Sequence, residues 1–126
     1  MVDIGIGSDE GQSPTGFEPC LVLVDDGYYW FLYPLLEELQ AATGQDLDLY
    51  GDATFAGTDL DALARMLSEA RRRVEMQPES WEVHHPTRRK VFKPVNRAQF
   101  LQLIGIWEQG IALARQTGRA IICLGD

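Results

Sequence analysis

Nine carboxylates fall between residues 25 and 61 with no lysine or arginine among them: Asp25, Asp26, Glu37, Glu38, Asp46, Asp48, Asp52, Asp59 and Asp61. Three kinds of chemistry are open to such a set. It could form a negative face that draws in a cationic partner, and a face of that kind raises association rates about 10- to 1000-fold at low salt. It could offer oxygen ligands to Ca²⁺ or Mg²⁺ through Asp46, Asp48 and Asp52. That D-x-D-x-x-x-D spacing is not the EF-hand loop, which needs acids at positions 1, 3 and 5, glycine at 6 and glutamate at 12. Or one carboxylate could act as a general acid or base, with Asp48, Asp52 and His84 as candidates. Against all three stands the plain reading, in which Asp59 and Asp61 serve a helix dipole, Glu37 and Glu38 solvate a helix face, and Asp52 makes a turn.

The charge is lopsided along the whole chain. Residues 1–64 hold thirteen acids (Asp3, Asp9, Glu10 and Glu18 besides those above, Asp26 included) and no base, while residues 65–126 hold all eleven bases and six acids, for a net charge of −8. A nucleic-acid binder carries a positive balance, so the cluster Arg88, Arg89, Lys90, Lys93 and Arg97 is expected to protect a hairpin edge or pair with the acidic half, and not to hold a polyanion. Zinc is disfavoured. Cys20, His84, His85 and Cys123 lack paired spacing, and adjacent strand residues such as His84 and His85 point to opposite faces. No nucleophile-elbow, zincin, P-loop or dinucleotide-binding motif is present, and no cofactor is expected. Tyr28, Tyr29, Trp30 and Tyr33 form an aromatic block that is either core or, through Tyr29 and Trp30, an exposed anchor beside the acids.

The elements that must position these groups follow from periodicity. Residues 1–17, rich in Gly, Ser, Asp and Pro, read as a flexible tail in which Val2, Ile4 and Ile6 alternate like a short edge strand; residues 18–126 read as a single domain. Cys20–Val24 is a buried strand. Asp26-Gly27 signals a hairpin, yet Tyr28, Leu32, Leu35, Leu39 and Ala42 have helical spacing. Pro34 belongs in a first turn, so that helix is expected to start between Trp30 and Pro34 and to end at Gly44. Asp46–Tyr50 alternates as a half-buried strand. A helix capped by Thr58 carries the stripe Leu60, Leu63, Ala64, Leu67, Ala70, Val74 and stops before Pro78. Residues 81–85 and 89–93 pair around Pro86-Thr87. Asn96 and Gln99 open a third helix that Gly118 closes, and Arg119–Gly125 is a last buried strand. The order β-α-β-α-β-β-α-β predicts an α+β fold of one mixed or antiparallel sheet and about three helices. Cys20 and Cys123 are expected to be buried thiols of a reducing cytoplasm, with a bridge open to them only if their strands are neighbours. No segment reaches the ~20 apolar residues of a membrane span, and no basic-then-apolar leader opens the chain.

The run Asp48-Leu-Tyr-Gly-Asp-Ala-Thr-Phe55, followed by a helix, together with the ending Leu124-Gly-Asp126, resembles a pattern in small acidic bacterial proteins, some of them immunity proteins that neutralise a co-produced toxin. The resemblance covers about eleven residues and the order of elements. The N-terminal tail and the aromatic block at 28–33 depart from it. It implies a cytoplasmic inhibitor or binding module without catalytic residues, with Asp48, Tyr50, Asp52 and Phe55 matching by position. Joined to the acidic charge pattern, it leads to the expectation of an inhibitor that docks an acidic face on the cationic site of a basic protein partner, such as a nuclease. Independently of it, Gly51 is expected to supply a positive φ, and Tyr50 and Phe55 to pin the loop to the core. The expected contacts are Glu37, Glu38, Asp46, Asp48, Asp52, Asp59, Asp61, Tyr29 and Trp30. The alternatives are a small carboxylate or histidine enzyme, favoured by a deep pocket, and a regulatory subunit, favoured by an apolar patch at 28–33.

Overall fold

In the computed structural model, residues 1–8 and 16–126 are described. The first strand, β1 (Val2–Gly7), pairs antiparallel on one side with β2 (Glu18–Leu23) and on the other with the last strand, β6 (Ala120–Gly125). A short β3 (Ala53–Phe55) joins the free side of β6, giving the antiparallel order β2-β1-β6-β3. Three helices lie on the chain: α1 (Gly27–Thr43), α2 (Thr58–Glu75) and α3 (Arg97–Thr117). A two-stranded ladder, β4 (Ser80–Trp81) with β5 (Val95–Asn96), closes the base of a hairpin. The expected α+β class with three helices in a single domain is what forms, but with a second, two-stranded sheet beside the four-stranded antiparallel one where the sequence predicts a single sheet.

Periodicity explains which face is buried. Val2, Ile4 and Ile6 alternate along β1, and with Ile121 and Cys123 of β6 and Phe55 of β3 they join a core completed by Phe100, Ile104, Trp107 and Ile111 of α3. On α2 the buried set is Leu60, Leu63, Met66, Leu67, Ala70 and Val74, the expected stripe with Met66 in place of Ala64. Each large apolar side chain buried in this way contributes about 1.5–3 kcal/mol.

The alternating apolar residues near the start therefore mark a central strand and not a flexible tail. Of that expected tail, residues 9–15, with Asp9 and Glu10, lie outside the described residues. The reason is partnership: the strand is paired on both sides, with an irregularity between Ile4 and Gly5 on the β2 side, and nothing local announces that β2 and β6 begin 16 and 118 residues further along the chain. The same placement removes the disulfide. β1 runs between the strands of Cys20 and Cys123, Ile4 pairs with Leu21 on one side and with Cys123 on the other, and both cysteines are free. Burial, with Asp52 nearby, pushes the Cys123 thiol up to about 12, so it stays protonated and unreactive.

Helix α1 starts earlier than expected. Asp26 is its N-cap, accepting from the amides of Tyr28 at 3.0 Å and Tyr29 at 3.2 Å. Gly27 is there for closeness and not for a turn, since a Cβ would lie 2.7 Å from Val95 Cγ1. The Asp-Gly pair is thus a cap and a packing contact. Pro34 then sits inside the helix. An interior proline costs about 3 kcal/mol, less than burial of Leu32, Leu35, Leu36 and Leu39 returns. Gly44 and Gly118 end α1 and α3 in the left-handed conformation, as expected, at φ 75° and 66°. Thr58 does not cap α2. It is the first helical residue, Gly57 holds the cap position at φ 57° without a side-chain cap, and the amides of Asp59 and Leu60 donate instead to the carbonyls of Ala56 and Gly57. Asn96 caps α3 by accepting from the Gln99 amide at 2.9 Å, but the Gln99 side chain turns away to Tyr28 instead of closing a box.

Residues 46–50 make no strand. They keep the period of two, with Leu47 and Leu49 buried and Asp46 and Tyr50 exposed, without a ladder. This loop is tied to the end of β6. Asp52 accepts from the Gly125 amide at 3.0 Å, and the Asp126 amide donates to the Leu49 carbonyl at 3.3 Å. A Cβ on Gly125 would overlap the Gly51 amide nitrogen and lie 2.5 Å from its carbonyl oxygen, whereas one on Gly51 would meet only Asp48 Cβ at 3.7 Å. Gly51 does not have the expected positive φ. G125A should therefore lose about 1–3 kcal/mol, as overpacking does, while G51A stays within about 0.5 kcal/mol of the parent, as a surface change does. Urea unfolding of both variants checks this, and equal losses would contradict the proposed close approach.

Candidate functional site

Tyr28 to Tyr33 are six consecutive helical residues, so they cannot share one environment. Tyr28 and Phe31 turn toward the hairpin base and α3. The Tyr28 ring lies 5.1 Å from Phe100 and Phe31 lies 5.4 Å from Trp81, while the Tyr28 hydroxyl accepts from the Asn96 amide and donates to Gln99. Tyr29 is 4% exposed and its hydroxyl donates to the Leu47 carbonyl at 3.1 Å. Burial, reinforced by Asp48 and Asp46, pushes that phenol far above its ordinary value. Tyr29 is therefore a core residue and cannot be the exposed anchor expected of it. Trp30 and Tyr33 are half-buried, with rings 4.9 Å apart. No apolar patch stands at 28–33, because each of these six residues is buried or half-buried.

Trp30 and Tyr33, with Glu37 one turn further along α1, line a cleft of about 590 Å³. The loop Asp48–Tyr50 forms a second wall, and the hairpin tip His85–Arg88 with Lys90 forms a third. Three interactions fix the tip. The Trp30 indole N–H donates to Asp25 at 2.6 Å, and Lys90 lies 3.6 Å from the other oxygen of the same carboxylate. The Trp30 and His85 rings are 4.2 Å apart. His85 Nδ1 accepts from the backbone amides of Thr87 at 3.1 Å and Arg88 at 3.0 Å, which makes Nδ1 an acceptor and ties up the ring nitrogen that faces the turn. His85 is thus a turn-forming residue. The indole bond, helped by Lys90, holds the Asp25 carboxyl below its ordinary value.

The nine expected contact residues do not form one face. Glu37, Asp48 and Trp30 meet in the cleft, which the buried Tyr29 also lines, and Asp46 is exposed beside the same loop. Glu38 lies instead in a groove between α1 and α2 with Arg65 and Glu69. Asp52 is used by the Gly125 amide. Asp59 and Asp61 stand in the first turn of α2, where Asp61 pairs with Arg115 at 2.6 Å. The candidate catalytic set is dispersed too, since Asp48 is in the cleft, Asp52 at the sheet end and His84 in a separate groove with Trp81 and Met76.

The two halves of the chain neutralise each other only in part. Among the described residues, four ion pairs join them: the Met1 amino group with Asp126, Glu18–Arg119, Asp25–Lys90 and Asp61–Arg115. Arg71, Arg72 and Arg73 are taken by Glu108 and Glu69 within the trailing half. No ion pair reaches Glu37, Glu38, Asp46, Asp48, Asp52 or Asp59 among the described residues.

Sequence reading missed Tyr50, Tyr33, His85 and Arg88 as lining residues. Tyr50, expected to pin the loop, is 67% exposed. The period-2 pattern of residues 46–50 carried that signal, because it puts Tyr50 on the side of Asp46 and Asp48, away from the leucines. Among the described residues no helix is long and apolar enough to cross a membrane, and no group of three or more His, Cys, Asp or Glu side chains is placed to hold a metal ion. Comparisons with protein-family models, with curated proteins and with solved structures found no match.

The Asp25 latch makes a pH-dependent prediction. A carboxyl lowered in the folded state adds stability above its ordinary value of 3.8 and loses it as pH falls through the lower folded value. At pH 6 the Trp30 indole N–H should exchange with solvent faster in D25A than in the parent, with Trp81 and Trp107 as internal controls in the same NMR spectrum. The two proteins should converge in strong acid. Equal exchange at pH 6 would show that the latch does not hold Trp30.

Proposed function

We propose that the protein is a non-enzymatic, immunity-type binding protein that acts in the cytoplasm and occludes the cationic site of a basic partner, such as a toxin. One observation carries this reading: the mouth of the cleft combines two carboxylates without a basic partner, Glu37 and Asp48, with an aromatic ring, Tyr50, standing free beside them. Exposed aromatics beside uncompensated charge are the composition of a binding hot spot. Unpaired surface charge mainly serves the speed of encounter. The loop bearing Asp48 and Tyr50 is braced by an Asx bond, Tyr50 N–H to Asp48 at 2.8 Å, and by the end of β6, so little ordering remains to be done on binding. The docking surface is smaller than a whole acidic half. It comprises the cleft mouth and exposed Asp46, because Asp25 and Asp61 are already paired.

The dispersal of Asp48, Asp52 and His84 supports binding over catalysis, because general acid–base work needs its groups within hydrogen-bond reach of one reacting atom.

The test is co-expression with the product of the neighbouring gene. That product should be toxic alone and harmless together with this protein, and association of the purified pair should slow at least about tenfold from low to high salt. Y50A should weaken the pair by about 2 kcal/mol or more, as loss of a hot-spot ring does. Salt-insensitive association, or full affinity in Y50A and in the E37Q/D48N double variant, would remove this surface from the reading.

A further inference from the structure

Two carboxylates by themselves would mark only a solvated surface. Here they line a concavity of about 590 Å³, Glu37 from α1 and Asp48 from the 48–50 loop, within the range of sites that enclose a small ligand or a side chain. Trp30 and Tyr33 line it from α1, and the hairpin wall carries cations. Lys90 on that wall is balanced by Asp25. Arg88 has no ion pair among the described residues, and its backbone amide is committed to His85. The lining is therefore of both signs, with Glu37 on α1, Asp48 on the loop and Arg88 on the hairpin tip, beside the Trp30 and Tyr33 rings.

Resting on the binding reading above, the geometry points to a specific occupant: we infer that the cleft takes an arginine side chain of the partner, its guanidinium against Glu37 and Asp48 and over the Tyr33 and Trp30 rings, with a carboxylate close to that arginine meeting Arg88. The planar guanidinium suits this better than an ammonium. It stacks on aromatic faces, sheds water more readily and bonds two carboxylates at once. Arg88 adds a contact that a bare cation cannot use, so a bipolar occupant suits the cleft better than a purely cationic one.

Small probes separate these features. N-acetyl-arginine carries both a guanidinium and a carboxylate, N-acetyl-arginine amide lacks the carboxylate, and N-acetyl-lysine replaces the guanidinium. Titrations followed by NMR shifts of the Trp30 indole and the Tyr50 amide should show saturable binding of N-acetyl-arginine, at least about fivefold tighter than either of the others. R88Q should abolish the preference for the acid over the amide without weakening the amide. E37Q and D48N should each weaken both arginine probes at least about threefold. Asn at 48 keeps an oxygen for the Tyr50 amide, and Glu37 is exposed, so neither change threatens the fold. Absence of saturable binding, equal binding of the lysine probe, or tighter binding of the amide overturns the inference. If that happens while Y50A still weakens a protein partner, only the arginine assignment falls. If arginine selectivity holds but no partner is neutralised, only the occlusion reading falls.

Discussion

Insertion of the chain's last strand between its first strand and β3 is the constraint on which the rest depends. β6 pairs with β1 from Val2–Gly125 to Gly7–Ala120 and with β3 on its other edge, so the two ends of the sequence meet at the centre of the sheet. Its final residues also fix the candidate site. Gly125 lets the strand end run against Gly51, Asp52 closes on the Gly125 amide, and Asp126 bonds Leu49. The loop that carries Asp48 and Tyr50 into the cleft is thus held by residues more than seventy positions away. Pairing of this range must wait for most of the chain, so the site is assembled late and stands or falls with the whole domain.

Charge is arranged in three ways that local sequence does not distinguish. Asp26 is spent inside the fold as a helix cap, and burial raises its carboxyl against the opposing effect of the amide bonds it accepts. Glu18, Asp25 and Asp61 reach across to cations of the trailing half. Glu37 and Asp48 line one concavity with no ion pair among the described residues and with Asp46 exposed on the same loop, and their mutual repulsion is tolerated because water screens them and Arg88 lines the same cleft. Exposed ion pairs contribute little to stability. Their consequence here is selection, since by removing some acids from play they leave a small mouth lined by both signs where an undivided acidic half would have had no particular address.

Two pieces of sequence that looked like a recognition signature have an internal explanation. Asp48-Leu-Tyr-Gly-Asp52 and Leu124-Gly-Asp126 lie against each other, with Gly125 required by close approach and Asp52 by the amide it accepts. Asp52 and Phe55 thereby serve the fold, Phe55 being fully buried, while Asp48 and Tyr50 remain turned toward solvent. The aromatic block divides likewise, with Tyr28 and Phe31 packed toward α3 and the hairpin base, Tyr29 buried behind the cleft it helps to line, and Trp30 and Tyr33 half-exposed in that cleft.

The amino-acid sequence by itself determined the class of the fold, the stripe of α2, the glycine stops of α1 and α3, the Asn96 cap, the hairpin around residues 86–89 and the inward leucines of residues 46–50. Each rests on interactions between residues a few positions apart, and periodicity, capping and turn chemistry record them. Glu37, Asp48 and Trp30, singled out from charge and aromatic character alone, come together in the cleft. Only tertiary structure decided that Val2–Gly7 is a central strand, that Asp-Gly at 26–27 is a cap and a close contact, that β1 separates Cys20 from Cys123, and that Tyr29 is core while Tyr50 is free. Those outcomes depend on which distant surfaces meet. Burial energy of several kcal/mol per pair of apolar side chains outweighs local preferences of about one, so they lie in the packing and leave no local mark on the chain.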